Sequence, residues 1–331
     1  MKVTIAQIAK AAGVSAGTVS NALNNRKGSI SQAKREKIIQ VAEEMGYFRR
    51  GKRTGVLGLV LYEANQNIVG ETPFFSKLIQ GIQSACAQND YQLQIKNVRY
   101  DDEQGIKDLD NVSLYDGLLI MGTEMHFKDV EKFKHFKIPF VIVDNAYIMQ
   151  NCDFIAINNK DGMYEMTKYL IDKGYRKFGL LNSWSSINNF KERRAGFLQA
   201  VQDNDIHFHY ADELFLDPTI EGSYEEMKNY IRQQEEYGIE LRDAYVAMND
   251  YIAIGALRAL REAGKEVAIT GFDDIEAAQV CSPSLTTVRV DKIELGRIAV
   301  ARLVSKFAEQ GTQVKILVNT QLIERESTKQ K

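Results

Sequence analysis

The stretch TIAQIAKAAGVSAGTVSNALN, residues 4–24, decides the fold of the beginning of the chain. Thr4 can cap a first helix, and Gln7 three residues later completes a capping box. Ile8 and its apolar neighbours recur at helical spacing, which gives this helix one apolar face. Gly13 then provides the residue that ends it. The stretch therefore predicts a short helix followed at once by a turn.

A second helix follows the turn, with Ser15 as its cap and Val19, Ala22 and Leu23 on its inner face. Two short helices joined by a turn that contains glycine form the helix-turn-helix pattern, whose second helix lies in the DNA major groove. A third helix is predicted over 31–45. A small pair of helices without DNA binding is the alternative interpretation.

Polar side chains of the second helix point away from the predicted core. Asn pairs bidentately with adenine, and Ser or Thr can bond base edges or phosphates. The basic segment 49–55 that follows the third helix can bind phosphates in addition. We therefore expect DNA contacts from Thr4, Ser15, Ala16, Gly17, Thr18, Ser20, Asn21, Asn24, Arg49 and Arg50.

Charge is distributed unevenly between the start of the chain and the remainder. Residues 1–55 hold 11 Lys or Arg and 3 Asp or Glu, a net charge of +8. The other residues hold 31 basic and 41 acidic side chains, a net charge of −10. A basic segment attached to an acidic body is typical of a phosphate-binding module joined to a domain that DNA repels.

The three cysteines, Cys86, Cys152 and Cys281, are far apart in the sequence and form no zinc pattern. Their number and spacing favour the reducing cytosol. We find no signal peptide and no apolar run of the roughly 20 residues that a membrane span needs. His207 and His209 share a strand face but lack a third ligand. We therefore expect a cytoplasmic protein with no metal, no cofactor and no membrane partner.

From residue 56 onward, apolar strands alternate with amphipathic helices, beginning with VLGLVLY at 56–62. This rhythm predicts right-handed βαβ units and mostly parallel sheets, and its two runs predict two α/β lobes. The expected domains are a helix-turn-helix domain over 1–48, a basic linker over 49–55, an N-terminal lobe over 56–156 and 289–314, and a C-terminal lobe over 157–288 and 315–331.

Several motifs together resemble the lactose/galactose-repressor (LacI/GalR) family. They are the opening stretch, AMNDYIAIGALRALREAG at 247–264, ITGFDDIEAA at 269–278 and SPSLTTVRVD at 282–291. The resemblance covers nearly the whole chain. It implies an all-α helix-turn-helix headpiece on a two-lobed body like a periplasmic binding protein. It also implies a homodimer that releases operator DNA when a small effector binds between the lobes.

The chain departs from the family pattern between Tyr47 and Val56. Relatives usually have a hinge helix here with a leucine that enters the minor groove, whereas this segment has neither proline nor leucine. In the second helix, relatives usually have the sequence Thr-Val-Ser-Arg, whereas this chain has Thr-Val-Ser-Asn at 18–21. The short linker, together with a shortened stretch at Asn97–Tyr115, resembles a hinge-less branch that controls galactose and β-galactoside genes.

Candidate effector residues lie where strand ends of the two lobes should face each other. Asp144 and Asp273 end apolar strands, Asn249 precedes a helix that it could simply cap, and Arg193 resembles a clamp for effector hydroxyls. Three aromatic side chains could stack on a sugar. We therefore expect the effector site to consist of Phe75, Asp144, Trp184, Arg193, Asn249, Phe272 and Asp273.

These patterns predict a transcriptional regulator, most simply a repressor, whose operator binding responds to a sugar such as a galactoside. A second interpretation is a sugar-binding receptor with a vestigial headpiece, which the missing hinge helix favours. An enzyme is the third, although no phosphate loop, nucleophile elbow or pair of catalytic carboxylates stands out.

Overall fold

The computed structural model describes residues 3–23, 30–45, 54–64, 73–308 and 312–328. The chain divides into two compact units, 1–54 and 55–331, which we call the headpiece and the body. Of the sequence predictions, those for Asn24, Arg49, Arg50 and the hinge segment lie outside the described residues.

The headpiece contains three helices, α1 (Ile5–Ala12), α2 (Ala16–Leu23) and α3 (Gln32–Glu44). The predicted capping box of α1 is confirmed, and Gly13 ends the helix with φ 65°. That left-handed conformation is the one glycine adopts without steric cost. Ile8, Val19 and Ile38, one from each helix, are buried together in a small core.

The N-terminal lobe of the body is built on a six-stranded parallel sheet in the order β11-β5-β4-β3-β1-β2. Its helices cover both faces, and the central residues of the first strand are buried. Its elements are β1 (Val56–Glu63), α4 (Pro73–Gln88), β2 (Gln92–Arg99), α5 (Glu103–Leu109), β3 (Gly117–Met121), β4 (Phe140–Val143), β5 (Phe154–Ile157), α11 (Lys292–Ala308) and β11 (Lys315–Val318).

The C-terminal lobe has a second six-stranded sheet in the order β12-β10-β9-β8-β6-β7, in which only the β10–β12 pair is antiparallel. Buried apolar residues of its strands and helices form one core. Its elements are α6 (Asn159–Asp172), β6 (Phe178–Ser183), α7 (Asn188–Asp203), β7 (Glu213–Leu216), α8 (Ile220–Tyr237), β8 (Ala244–Ala247), α9 (Asp250–Glu262), β9 (Ala268–Asp273), α10 (Glu276–Val280), β10 (Thr286–Arg289) and β12 (Gln321–Ile323). The two parallel-sheet lobes confirm the predicted fold class.

The domain assignment of residues 315–331 needs a correction. The sequence analysis assigned this whole segment to the C-terminal lobe, but β11 pairs with β5 of the N-terminal lobe. Only β12 joins the second sheet, beside β10. The apolar pattern at 315–323 predicts one strand, but the structure interrupts it at Asn319 and Thr320, where the chain passes from one sheet to the other.

Two further local differences concern the N-terminal lobe. The sequence predicts a helix near 127–136, but the structure has a short 3-10 helix, Phe127–Lys132, there. It also has the helix α5, which the sequence did not predict. Asp102 caps α5 by accepting a hydrogen bond from the backbone N–H of Gly105. Within the described residues, no helix has the combined length and apolarity that crossing a membrane requires.

Candidate functional site

In the headpiece, the second helix carries an exposed polar N-terminus. The Ser15 hydroxyl accepts the backbone N–H of Thr18 at 3.1 Å, and the two hydroxyl oxygens lie 2.8 Å apart. Ser15, Ala16 and Gly17 are exposed, whereas Thr18 and Asn21 are half-buried. The open N-terminus of a helix with free N–H groups is a favourable place for a phosphate.

The remaining residues of the headpiece that were predicted to contact DNA lie before and after the start of this helix. Thr4 is exposed, but its side chain belongs to the capping box with Gln7. Ser20 is half-buried in α2. Lys34 and Lys37 of α3 are exposed and add positive charge to the same unit. The described headpiece therefore combines exposed helix-start groups with exposed lysines, as binding to a phosphate backbone requires.

In the body, the candidate effector residues gather where parallel strands end. Asp144 directly follows β4 of the N-terminal lobe, while Asn249 follows β8 and Asp273 ends β9 of the C-terminal lobe. All three side chains are buried. The ends of the two sheets therefore bring two carboxylates and an amide into one buried region between the lobes, which we call the cleft.

Arg193 of α7 is the centre of this cleft. Its Nη2 donates to Asp273 Oδ1 at 3.1 Å, its Nη1 to the carbonyl oxygen of Met248 at 2.7 Å, and its Nε to Asn159 Oδ1 at 2.8 Å. The side chain is 3% exposed, and its guanidinium lies over the ring of Phe272. Three of its five N–H groups thus have acceptors within the described chain.

Asp273 lies in a strained turn. Its φ is 111° and that of Asp274 is 49°, both in the region that disfavours side chains. Lys292 donates to the Asp273 carbonyl oxygen. Asp274 is held by Arg289 and Arg325, each at 2.6 Å. Of the two neighbouring carboxylates, Asp273 therefore faces the cleft, and Asp274 has a structural role.

Asp144 connects the two lobes. It accepts a hydrogen bond from Thr123 Oγ1 of its own lobe at 2.6 Å and one from Asn189 Nδ2 of α7 at 3.1 Å. Next to Asn189, Asn188 Nδ2 donates to the carbonyl oxygen of Ala146 at 3.0 Å. The start of α7 thus bonds the end of β4, and the lobes meet at the cleft.

Burial dominates the electrostatics of the cleft. Desolvation raises the pKa of Asp144 to about 7, although Thr123 and the positive charge of Arg193 oppose the shift. Desolvation also raises the pKa of Asp273, against the attraction of Arg193 and Lys292. The pKa of Lys292 is lowered for the same reason. A carboxyl group with such a pKa can accept hydrogen bonds when ionised and donate one when protonated.

The other predicted effector residues differ in position. Asn249 caps α9, with Oδ1 accepting the Ile252 N–H at 3.0 Å, and its side-chain NH₂ group remains as a donor. Phe272 lies under Arg193, whereas Phe75 is buried at the start of α4 against Phe74.

Trp184, which follows β6, is 69% exposed, and its ring lies 5.3 Å from that of Phe215. It therefore stands apart from the Arg193 contacts, at the β7 side of the same sheet. Phe215 belongs to β7, the edge strand, and is itself partly exposed.

Sequence analysis missed several groups that complete the cleft. Thr123 and Asn159 follow β3 and β5, so their position directly after buried strands was an available signal. Asn189 and Lys292 were not recognisable in this way because they lie at helix starts in other parts of the chain. They reach the cleft only through the tertiary fold.

Metal-binding residues do not cluster in the part of the chain that the structure describes: no group of three or more His, Cys, Asp and Glu side chains could hold an ion. The rings of His207 and His209 lie 4.2 Å apart, without a third ligand.

Comparison with known families gives two matches. Residues 4–49 match the model of bacterial regulatory proteins of the lacI family. Residues 167–328 match the model of a periplasmic binding protein-like domain. The first region contains the helices of the headpiece, and the second contains most of the C-terminal lobe together with α11 and β11 of the N-terminal lobe.

Curated relatives match along almost the whole chain. The transcriptional repressor PurR of Histophilus somni (strain 129Pt) is 28% identical over 98% of this chain and 99% of its own length. The ribose operon repressor of Haemophilus influenzae (strain ATCC 51907 / DSM 11121 / KW20 / Rd) is 29% identical over 95% of each chain. The order of headpiece and body is thus the same as in these repressors.

Solved structures share the fold at lower identity. A complex of the transcriptional regulator CelR with cellobiose has a TM-score of 0.73 and 24% identity, covering 98% of this chain and 100% of that chain. The lac repressor dimer bound to operator has a TM-score of 0.73 and 22% identity, covering 99% of both chains. The chain thus joins a helix-turn-helix domain of the lacI family to a periplasmic-binding-protein-like domain, and its curated relatives over almost the whole length are transcriptional repressors.

Proposed function

We propose that this protein is a DNA-binding repressor whose affinity for its operator changes when a sugar binds between the two lobes of the body. The observation that carries the proposal is the buried cleft in which Arg193 and Asp273 of one lobe lie opposite Asp144 of the other. A ligand that bonds both lobes stabilises one arrangement of them over another.

The polar groups of the cleft suit a polyhydroxyl ligand. A carboxylate such as Asp273 accepts hydrogen bonds from sugar hydroxyls, and the guanidinium of Arg193 donates to them from a fixed plane. Relatives support this ligand class, since they include a ribose operon repressor and a CelR complex with cellobiose. A regulator from Enterococcus faecium with bound ribose also shares the fold, with a TM-score of 0.66. Galactosides remain the sugars that the sequence favours.

The headpiece is the DNA-binding module of this proposal. Two copies in a homodimer would bind half-sites about one helical turn apart, or a multiple of it, because the separation of the two recognition helices sets the spacing. The chain would act in the cytosol, where operator DNA is accessible. It would be a regulator without catalytic activity, as its repressor relatives suggest.

Fluorescence anisotropy with labelled DNA from upstream of the protein's own gene tests this proposal. We expect binding to that DNA, and a change in affinity on adding one of a panel of D-ribose, D-galactose, lactose and cellobiose. Failure to bind any fragment that carries a two-fold symmetric site would contradict the repressor function. Sugar binding without DNA binding would instead support the receptor with a vestigial headpiece.

A further inference from the structure

The turn after β9 has an unusual backbone. Asp273 and Asp274 both have positive φ values, 111° and 49°, although neither is glycine. This conformation is strained for a residue with a side chain, and it persists only where neighbouring groups fix it. The orientation of Asp273 toward Arg193 therefore depends on groups that hold this turn.

One of those groups is Asp250, the first residue of α9, which is fully buried. Its Oδ2 accepts the backbone N–H of Ile275 at 2.8 Å, just after the strained pair. Its Oδ1 accepts the hydroxyl of Thr287 in β10. A single carboxylate thus joins the start of α9, the turn and the neighbouring strand.

The space around this carboxylate is closely matched to it. A Cβ atom on Gly271 of β9 would lie 2.2 Å from Asp250 Oδ1, so only glycine leaves room for the carboxylate in this position. An acidic residue in the first turn of a helix also interacts favourably with the helix dipole. However, Asn249 already caps α9, and the Asp250 carboxylate is directed to the turn.

Asp274 and Asp273 have their own partners, but none of these bonds fixes Ile275. Arg289 and Arg325 hold the Asp274 carboxylate, and Lys292 bonds the Asp273 carbonyl oxygen. Asp250 supplies the bond on the far side of the turn. The strained pair is thus bracketed, with Lys292 on one side and Asp250 on the other.

We propose that Asp250 is a positioning residue for effector recognition, which holds the turn 273–275 so that Asp273 faces Arg193 and the sugar. Asp250 does not itself contact the effector. The part of this proposal that concerns the sugar rests on the proposed function. The part that concerns the turn stands on the hydrogen bonds alone.

The first test is hydrogen exchange by mass spectrometry on the full chain without ligand. Asp250→Asn replaces one acceptor by an NH₂ group, so exchange of the peptide 274–278 should accelerate about tenfold, as the loss of one buried hydrogen bond implies. Peptides from the later part of α9 should change less than about twofold. Equal acceleration throughout the C-terminal lobe, or none at 274–278, would overturn the proposal.

Substitutions at Thr287 give a matched pair that keeps Asp250 itself. Thr287→Val removes the hydroxyl donor with little change in shape, whereas Thr287→Ser retains it. The serine variant should exchange like the wild type at 274–278, and the valine variant should exchange several times faster. Glu276→Gln, an exposed change at the start of α10 directly after the turn, is the control and should have no effect. If valine and serine behave alike, Asp250 does not hold the turn through this bond.

The second test measures sugar affinity by calorimetry. It uses whichever of D-ribose, D-galactose, lactose and cellobiose raises the melting temperature of the wild type. Thr287→Val should weaken binding about tenfold and Thr287→Ser less than about twofold, with operator affinity in the absence of sugar unchanged. If none of the four sugars raises the melting temperature, the sugar assignment fails, and the exchange experiment alone decides the role of Asp250.

Discussion

Arg193 lies over the ring of Phe272, with the guanidinium carbon 3.7 Å from the ring centroid. The contact combines a cation–π interaction with the ion pair that the same guanidinium makes to Asp273 in a buried environment. Phe272 and Asp273 are consecutive residues at the end of β9, so one short stretch of chain holds both partners of the arginine. Arg193 is therefore oriented before any ligand arrives.

The first prediction concerns the arginine itself. Arg193→Ala leaves Asp273 buried without its cation and removes three hydrogen bonds. The free energy of unfolding of the body should fall by about 3–5 kcal/mol, as for other broken buried ion pairs. Urea unfolding followed by the fluorescence of Trp184, the sole tryptophan, measures this in the body.

Arg193→Lys distinguishes charge from geometry at the same position. Lysine keeps the positive charge but lacks the planar fork, so sugar affinity should fall by about tenfold while much of the stability remains. Arg194→Ala is the neighbouring control, since Arg194 pairs with Glu213 instead. Equal sugar affinity in Arg193→Lys and wild type would contradict a role of Arg193 in recognition.

The second prediction concerns the contact between the lobes. Replacing Asn188 and Asn189 by alanine removes their hydrogen bonds to Ala146 and Asp144. Each lost bond should destabilise the observed arrangement by about 1 kcal/mol, so the free protein should spend more time with the lobes apart. Hydrogen exchange near 144–150 and small-angle scattering would measure the opening. Lys191→Ala, exposed on the same helix, should leave both unchanged.

The third prediction is a pH dependence of stability. Burial raises the pKa of Asp144 to about 7 and that of Asp250 to about 8, from 3.8 in each case. The folded state therefore binds more protons than the unfolded state between these values, and stability declines as pH rises through that window. The contribution of these two carboxyl groups to the free energy of unfolding is complete at about pH 4 and lost by about pH 8.

Urea unfolding at pH 5, 6, 7 and 8 tests this, with Asp144→Asn as the comparison. The asparagine variant should lose part of the decline, because its amide does not titrate. Carboxyl groups with lowered pKa, such as Glu213, contribute in the opposite direction but at lower pH. A wild type and an Asp144→Asn variant with parallel pH profiles would show that Asp144 is already ionised at pH 5.

The fourth prediction concerns the headpiece. Its net charge of +8 over residues 1–55 implies several phosphate contacts, so the operator affinity should fall steeply with salt. Asn21→Ala should change the preferred base, at about 1–3 kcal/mol per contact. Arg49→Ala with Arg50→Ala should instead weaken binding to all sequences by similar factors. If the Asn21→Ala variant keeps the base preference of the wild type, Asn21 does not contact a base.

Residues at the ends of buried strands could be predicted from the sequence, since an apolar run followed by a polar residue marks that place. Asp144, Asn249 and Asp273 were identified in this way. Their partners could not be, because Asn189, Asp250 and Lys292 have the sequence context of ordinary helix starts. Which group each of them contacts is determined by packing between elements that are far apart in the chain.

The last strands illustrate a second limit. KILVNTQLI at 315–323 has the composition of one strand, and both halves have similar strand propensity. Without this segment the first sheet would end at β5 and the second at β10. Each half of the segment pairs with one of these two edges, so the halves belong to different sheets. Sequence periodicity contains no information about which edge is open.

The division between β11 and β12 also determines how the body can move. The chain passes between the lobes three times, at residue 158, at 290–291 and at 319–320. The first and third connections are bonded to each other, since Asn158 Nδ2 donates to Asn319 Oδ1 at 3.1 Å. Sliding one lobe along the other would stretch at least one connection, whereas bending about the line of the crossings stretches none. Opening of the cleft is thus a rotation with one principal degree of freedom, and a single distance between two labels is enough to follow it.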